Sequence, residues 1–93
     1  MYVTVRNYAG NSEIVDRLVA RQDEVRQLIT GIAGFQAYYL ARTVDGGVSV
    51  SVYDSRESVE ESNRQAADFI RTNFPDLASA TPQVSTGETV IIV

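Results

Sequence analysis

The spacing of apolar residues along this 93-residue chain predicts an α+β fold in which strands and helices follow in the order βαββαβ. Side chains alternate with a period of two near the N-terminus and around residue 50, which is typical of strands. Two other stretches carry apolar residues at every third or fourth position, the spacing of an amphipathic helix. A glycine pair separates the two middle strands, and a short apolar run closes the chain.

The first strand is predicted over residues 2–8, where the odd-numbered side chains, including Asn7, share one face. A turn follows, and either Asn11 or Ser12 can cap the next helix. The helix is predicted as one segment ending at about residue 31, because apolar residues recur at three- and four-residue steps on both sides of Gln22. This apolar stripe consists of Ile14, Leu18, Val25, Leu28, Ile29 and Ile32.

Two strands joined by a tight hairpin are predicted next. The first covers Phe35–Thr43, which is rich in aromatic and small apolar residues. The segment Asp45–Gly47 follows, and its glycines supply the positive φ that tight hairpins require. Residues 48–53 then alternate valine with serine and end in a tyrosine, so this segment is the returning strand.

A second helix and a last strand complete the order. Asp54 with Glu57 resembles a capping box at the start of the helix, and Pro75 ends it by disfavouring helical geometry in the preceding residue. A loop is predicted over Asp76–Gln83, and the last strand over Thr89–Val93. In this ferredoxin-like arrangement the second and fourth strands form the edges of one antiparallel sheet, and both helices cover one face.

Composition and charge exclude several classes of function. The chain has no cysteine and no histidine, which rules out disulfides, zinc ribbons, Ser–His triads and Cys–His pairs. A net charge of −4 with scattered basic residues argues against a nucleic-acid partner. No apolar run approaches the ~20 residues that cross a bilayer, and the N-terminus lacks the pattern of an export signal. Residues 1–93 are therefore expected to form one cytoplasmic domain without a cofactor.

A homodimer is expected because the helices would cover only one face of the sheet. The run Val90–Val93 is apolar on both sides, whereas a half-solvated strand should alternate. An exposed apolar edge invites pairing, and a second copy of the chain is the simplest cover. The alternative is a monomer in which the loop over Asp76–Gln83 covers the last strand.

Candidate ligand-binding residues are amides that interrupt apolar stripes. Asn7 lies on the first strand, Gln22 on the first helix and Asn63 on the second. Buried amides need partners, so if these three converge, the space between sheet and helices is a small-molecule cleft. Alternatively, each amide bonds locally or reaches water. Among the tyrosines, Tyr39 and Tyr53 are candidates to bind an aromatic ligand, although aromatic residues also serve as packing.

The run Val50–Glu57 and the step from Gly34 to Phe35 resemble the antibiotic-biosynthesis-monooxygenase-like group of dimeric α/β barrels. In that family two sheets face each other in a dimer with the helices outside. Some members oxidise polycyclic aromatic compounds with O₂ and no cofactor, and others degrade haem with a histidine that this chain lacks. The resemblance implies catalytic roles for Asn7 and Tyr53, which match the family's asparagine near the end of the first strand and its tryptophan before the second helix.

Two functions remain open on this basis. In a cofactor-independent monooxygenase, Asn7 would hydrogen-bond a phenolate-like oxygen of a small aromatic substrate, and Tyr53 would hold the ring. In a non-catalytic module, the dimer would bind a small molecule without turnover. The sequence does not decide which face of the sheet lines the pocket. If Asn7 and Tyr53 share a pocket, Ser49 and Ser51 point into it too, and the valines of residues 48–53 face the barrel.

Overall fold

The computed structural model describes residues 1–77 and 81–93, so part of the predicted loop over Asp76–Gln83 lies outside the described residues. The strands are β1 (Tyr2–Asn7), β2 (Phe35–Arg42), β3 (Gly47–Tyr53) and β4 (Gln83–Glu88), and the helices are α1 (Ser12–Ala20), α2 (Gln22–Thr30) and α3 (Arg56–Asn73), followed by a 3₁₀ turn at Pro75–Leu77. The strands form one antiparallel sheet in the order β2-β3-β1-β4. This confirms the predicted ferredoxin-like α+β fold, with β2 and β4 at the edges.

The register of the sheet shows which side chains face the helices. Thr4 pairs with Ser51 and Arg6 pairs with Ser49, and all four side chains are buried on the helix side. Neighbours along a strand point to opposite faces, so the valines of β3 face away from the helices. We call this second surface the open face; it consists of Val3, Val5, Asn7, Ala37, Tyr39, Ala41, Val48, Val50, Val52, Gln83, Ser85 and Gly87.

An apolar core fills most of the space between the sheet and the helices. Its buried members are Tyr8, Ile14, Val15, Leu18, Val25, Ile29, Ile32, Tyr53, Val59, Ile70 and Phe74. On α1 and α2, the core members Ile14, Leu18, Val25 and Ile29 belong to the predicted apolar stripe, and Val15 is an additional buried residue. Burial of such side chains is the main favourable term that holds the helices on the sheet. None of the helices in the described ranges combines the length and the apolar character needed to cross a membrane.

The first predicted helix is two helices in the structure, so the prediction of one continuous segment is wrong. Between α1 and α2, Arg21 leaves helical geometry with φ −118° and ψ 34°. Contacts with the end of α3 hold it there: its guanidinium donates to Asn73 Oδ1 at 2.5 Å and lies 5.6 Å from the centroid of the Phe74 ring. The apolar stripe continues across the break, which is why the sequence pattern did not reveal it.

The capping-box pattern predicted Asp54 as the N-cap of α3, and this prediction is wrong. The N-cap is Ser55. The Ser55 Oγ accepts a hydrogen bond from the Ser58 backbone N–H at 3.2 Å. Asp54 instead connects α3 to the start of β2: its carboxylate accepts from Gln36 Nε2 at 2.5 Å, and its backbone N–H donates to Gly34 O at 2.9 Å. Gly34 has φ +78°, a conformation that glycine adopts without strain.

The last strand also lies earlier than predicted. β4 ends at Glu88, so the segment Thr89–Val93 lies outside the sheet. The position of β1 explains this difference, because Glu88 pairs with Tyr2 and the Thr89 N–H bonds to Met1 O at 2.8 Å. The residues after Thr89 extend beyond the end of β1, and their apolar side chains are not covered by the described part of the chain.

Candidate functional site

An open cleft of about 450 Å³ lies between α1, α2 and the edge strand β2. Most of its walls are aliphatic or aromatic, and the lining residues are Leu18, Val19, Gln22, Val25, Arg26, Ile29, Thr30, Phe35, Tyr38 and Leu40. Small-molecule sites commonly have this size and a mainly apolar lining with a few polar groups. The cleft therefore has the size and the mainly apolar walls of a small-molecule site.

A smaller void of about 20 Å³ adjoins the cleft on the side of Arg6. Four residues border both spaces, namely Leu18, Val25, Ile29 and Tyr38. The remaining walls of the void are Arg6, Tyr8, Leu28, Ala66, Phe69 and Ile70. A space of this size has room for about one water molecule or one oxygen atom of a ligand.

Arg6 borders this void as a buried cation, with only 3% of its surface exposed. Its Nε donates to Ser49 Oγ at 3.1 Å and its Nη2 to Ser51 Oγ at 3.0 Å, while Nη1 donates to Asn63 Oδ1 at 2.7 Å. Thr4 Oγ1 also donates to Asn63 Oδ1, at 3.1 Å. These acceptors are neutral, and Arg6 forms no ion pair with a carboxylate of the described residues. Neutral polar side chains alone therefore hold this charge in the interior.

Three tyrosines lie close enough to Arg6 for its charge to act on them. Burial raises the pKa of Tyr8 and the pKa of Tyr38, and it raises the pKa of Tyr53 to about 12, while the charge of Arg6 offsets part of each increase. These hydroxyls are protonated at neutral pH, so they can donate hydrogen bonds but do not act as bases. Acidic side chains within the described ranges do not gather in groups of three or more that could hold a metal ion.

The structure does not bring together the two residues predicted to be catalytic. Asn7 is exposed on the open face, where it pairs with Val48. Tyr53 is fully buried on the helix side at the other end of β3, and its hydroxyl donates to Ile29 O at 2.6 Å. Asn7 and Tyr53 therefore do not share a pocket within one chain, and the valines of β3 and Asn7 occupy the same face.

The three residues predicted to bind a ligand also lie in different places. Gln22 is exposed and lines the cleft as the first residue of α2. Asn63 is half-buried on α3 and belongs to the hydrogen-bond network of Arg6, whereas Tyr39 is 66% exposed on the open face. The amides do not converge, because the sheet separates Asn7 from Asn63, and Gln22 lies on the surface of the cleft.

Sequence patterns did not single out Arg6 as part of a site. The search for interrupting amides followed the valine-bearing face of the first strand, while the choice of interior face stayed open, and Arg6 lies on the other face. A signal that could have found Arg6 is that polar residues also alternate on these two strands. Thr4 and Arg6 in β1 pair with Ser51 and Ser49 in β3. A valine face on two neighbouring strands suits packing against another sheet as well as packing against helices, so alternation alone does not identify the interior.

No family model matches the chain, and no curated protein matches it. Among solved structures, it is similar to a candidate monooxygenase from Shewanella loihica, with a TM-score of 0.58 and 13% identity, covering 98% of this chain and 96% of that chain. It is also similar to Rv0793 from Mycobacterium tuberculosis, with a TM-score of 0.59 and 19% identity, covering 98% of this chain and 95% of that chain. Over nearly its whole length the chain has the fold of these proteins, which confirms the predicted resemblance to monooxygenase-like proteins at the level of fold.

Proposed function

We propose that the protein binds a small aromatic molecule in the cleft and promotes its oxidation by O₂ without a cofactor. The observation that carries this proposal is the cleft itself, with a volume of about 450 Å³ and walls that include Phe35, Tyr38 and several aliphatic side chains. Flat aromatic rings pack favourably against walls of this kind. The fold shared with a candidate monooxygenase supports the oxidative part of the proposal.

In the proposed reaction a phenol becomes a quinone. The substrate loses a ring C–H hydrogen and the phenolic O–H hydrogen, and one oxygen atom of O₂ becomes the second carbonyl oxygen. The other oxygen atom leaves as water with both hydrogens, so the substrate supplies all four electrons. A phenolate gives up an electron more readily than a phenol, so the protein accelerates the reaction by favouring the ionised substrate.

The lining of the cleft limits how the substrate loses its proton. Among the described residues of the cleft wall, Arg26 and Tyr38 are the ionisable ones. Burial raises the pKa of Tyr38, so this hydroxyl does not accept a proton at neutral pH. The proton therefore passes to water, and we expect more acidic phenols to react faster.

A second candidate function is binding without turnover. The described part of the cleft wall has no carboxylate or other base, so oxygenation would depend entirely on the acidity of the substrate. This favours binding without turnover. This function predicts saturable binding of an aromatic ligand, with O₂ consumption no faster than in the absence of protein.

Oxygen uptake with a dihydroxynaphthalene probe tests the proposal, after subtraction of the spontaneous oxidation of the probe. Gln22→Trp narrows the cleft at an exposed position, so we expect several-fold weaker binding and slower uptake. Gln27→Trp is the matched control, because Gln27 is exposed on the same helix and is not part of the cleft wall. Binding with uptake at the spontaneous rate supports the binding module, and absence of binding contradicts both functions.

Asn7→Ala tests the catalytic role that the family resemblance implies. Asn7 lies on the open face, on the other side of the sheet from the cleft. A fall in O₂ uptake in this variant would therefore mean that the open face contributes to the reaction. An unchanged rate confines the chemistry to the cleft on the helix side. The variant therefore distinguishes two locations for the same reaction.

We also propose that the protein is a homodimer in which the open faces pack together. A four-stranded sheet with strands of this length presents a face of roughly 400 Å². A stable interface buries about 800 Å² on each partner, so a further contact is needed. The tail Val90–Val93 supplies it in this proposal, because Val90, Ile91 and Ile92 are 84%, 80% and 66% exposed.

A further inference from the structure

The side of α2 that borders the cleft carries a row of exposed polar residues. Gln22, Arg26 and Thr30 line the cleft at positions four residues apart, and all three are exposed. Residues at this spacing lie on the same side of a helix. The neighbouring row of α2, Val25 and Ile29, is buried. The cleft therefore has apolar inner walls and a polar rim, which consists of Gln22, Arg26 and Thr30.

Arg26 gives this rim a positive charge. It is the only residue of the described cleft wall that is charged at neutral pH, because burial raises the pKa of the Tyr38 hydroxyl. The Arg26 side chain is 68% exposed, so its guanidinium lies at the opening of the cleft and not among the apolar walls. The whole chain has a net charge of −4, which disfavours anions in general, so the rim differs from the average surface of the protein.

The Arg26 side chain is only weakly engaged by the described part of the chain. Its Nη1 lies 3.7 Å from Asp23 Oδ1, and both side chains of this pair are mostly exposed. Exposed ion pairs contribute little to stability, because water screens the charges and both side chains lose freedom. Arg17, by comparison, donates to both carboxylate oxygens of Asp76 at 2.7 Å. The guanidinium of Arg26 can therefore exchange Asp23 for another carboxylate at little cost.

We infer that the ligand of the cleft is an aromatic acid, whose ring lies between the apolar walls and whose carboxylate binds Arg26 at the rim. This inference rests on the proposed binding of an aromatic molecule in the cleft and adds a charged substituent to that molecule. The carboxylate is separate from the oxygen that takes part in the proposed reaction, so it orients the ring without reacting. A guanidinium can hold a carboxylate through two parallel hydrogen bonds, which fix the direction of the ligand as well as its position.

2-Naphthoate and 2-naphthamide are suitable probes, because they share the ring system and a planar side group and differ in charge at neutral pH. Isothermal titration calorimetry gives the affinity for each probe, and the ratio of the affinity for naphthoate to that for naphthamide isolates the contribution of the charge. We expect this ratio to fall about fivefold in Arg26→Gln at low salt, with the affinity for naphthamide unchanged. Arg71→Gln is the matched control, because it removes the same charge from an exposed ion pair on α3, and its ratio should equal that of the wild-type protein.

Salt distinguishes an effect of charge from a loss of packing. Because Arg26 is exposed, raising the ionic strength from about 0.01 M to about 1 M should lower the ratio in the wild-type protein towards that of Arg26→Gln. The ratio in Arg26→Gln itself should not fall. A wild-type ratio that salt leaves unchanged would contradict binding through the charge of Arg26.

Asp23→Asn tests the competition for the guanidinium. The variant removes the carboxylate that lies 3.7 Å from Arg26, so we expect the ratio to rise about twofold. Asp68→Asn is the control, because it removes the same charge from the ion pair with Arg71. An equal rise in both variants would reflect the net charge of the protein and would contradict competition at Arg26.

The outcomes separate this inference from the proposed function. An unchanged ratio in Arg26→Gln, with both probes bound, overturns the role of Arg26 and leaves the aromatic cleft intact. If neither probe binds, the proposed function itself is contradicted. A ratio that falls in Arg26→Gln, stays constant in Arg71→Gln and decreases with salt in the wild-type protein supports the inference.

Discussion

Tyr53 shows how the surroundings of a single residue change what it can do. Its side chain is fully buried, its hydroxyl donates to Ile29 O at 2.6 Å, and its ring meets Phe35 edge to face with 5.8 Å between centroids. The hydroxyl thus links β3 to α2, and a ligand cannot reach the ring without displacing core side chains. Tyr39 is the contrasting case, because its side chain is exposed on the open face of the edge strand β2.

Tyr53→Phe is expected to lower the free energy of unfolding by about 1 kcal/mol, because the buried carbonyl of Ile29 would lose its short hydrogen bond and keep only the long one from the Ile32 N–H at 3.5 Å. Urea denaturation at neutral pH measures this loss. Tyr39→Phe removes an exposed hydroxyl and is expected to change stability by less than about 0.5 kcal/mol. Equal stabilities of the two variants would show that the buried hydrogen bond contributes little.

Stability is expected to fall as the pH rises from about 10 towards 12. The pKa of Tyr53 is about 12 in the folded protein, and a tyrosine in the unfolded chain has a pKa of about 10, so the unfolded state releases its proton first. The contribution of the protonated Tyr53 hydroxyl to the free energy of unfolding is complete below pH 10 and falls by roughly 2 kcal/mol as the pH rises towards 12. Urea midpoints measured across this range should fall less steeply in Tyr53→Phe than in the wild-type protein. Identical slopes would contradict the assignment to Tyr53.

At the scale of helices and strands, caps follow the local sequence only where tertiary contacts leave the capping residue free. Asn11, one of the two predicted caps, caps α1, with its Oδ1 accepting from the Ile14 N–H at 3.3 Å. At α3 the carboxylate of Asp54 is occupied by Gln36, and Ser55 caps the helix instead. The packing between the start of β2 and the start of α3 therefore selects which of two adjacent polar residues becomes the cap.

Ser55→Ala is expected to destabilise the protein by about 1 kcal/mol, because the first turn of α3 loses the acceptor for its Ser58 N–H. Thermal or urea denaturation measures this change. Asp54→Ala is the control and should cost less than about 0.5 kcal/mol, because its side-chain bond is exposed to solvent. A larger loss in the Asp54 variant would indicate that the connection to β2, and not the cap, dominates the stability of this region.

At the scale of the whole molecule, the two faces of the sheet differ in chemistry. The helix side is aromatic near its ends and polar near its centre, where Arg6, Ser49 and Ser51 lie. The open face consists mainly of valine and alanine side chains, and the apolar tail Val90–Val93 extends beyond β4. Surfaces of this composition usually mark an interface.

Light scattering is expected to give the mass of two chains for the wild-type protein. Val50→Lys places a charge in the middle of the open face, between Val5 and Tyr39, and is expected to give a folded monomer because that charge would be buried in the interface. Thr72→Lys adds the same charge at an exposed position of α3 and should leave the dimer intact. A monomeric wild-type protein would contradict the proposed dimer but not the cleft.

The sequence by itself determined the α+β class and the order of the elements, apart from the break in the first helix and the position of the last strand. Alternation in residues 2–8 and 48–53 and the stop before Pro75 are local properties, because each depends on the geometry of a few consecutive residues. The hairpin forms, but the predicted positive φ is wrong for Gly46 and Gly47. These positions need glycine because a Cβ at Gly46 would clash with the Tyr8 carbonyl oxygen and one at Gly47 with the Val15 side chain. The same local logic correctly indicated that Asn11 could cap the first helix. Of the amides that the pattern singled out, Gln22 lines the cleft, whereas Asn63 belongs to the Arg6 network and not to the cleft wall.

Only the tertiary structure decided which face of the sheet the helices cover, where the first helix breaks and where the last strand ends. Alternation defines two faces but does not identify the buried one, so the sequence left open which face lines the pocket, and Arg6 was not recognised as an interior cation. The break at Arg21 depends on contacts with the distant end of α3. β4 ends where its pairing with β1 ends, because a strand is defined by its neighbour as well as by its own residues.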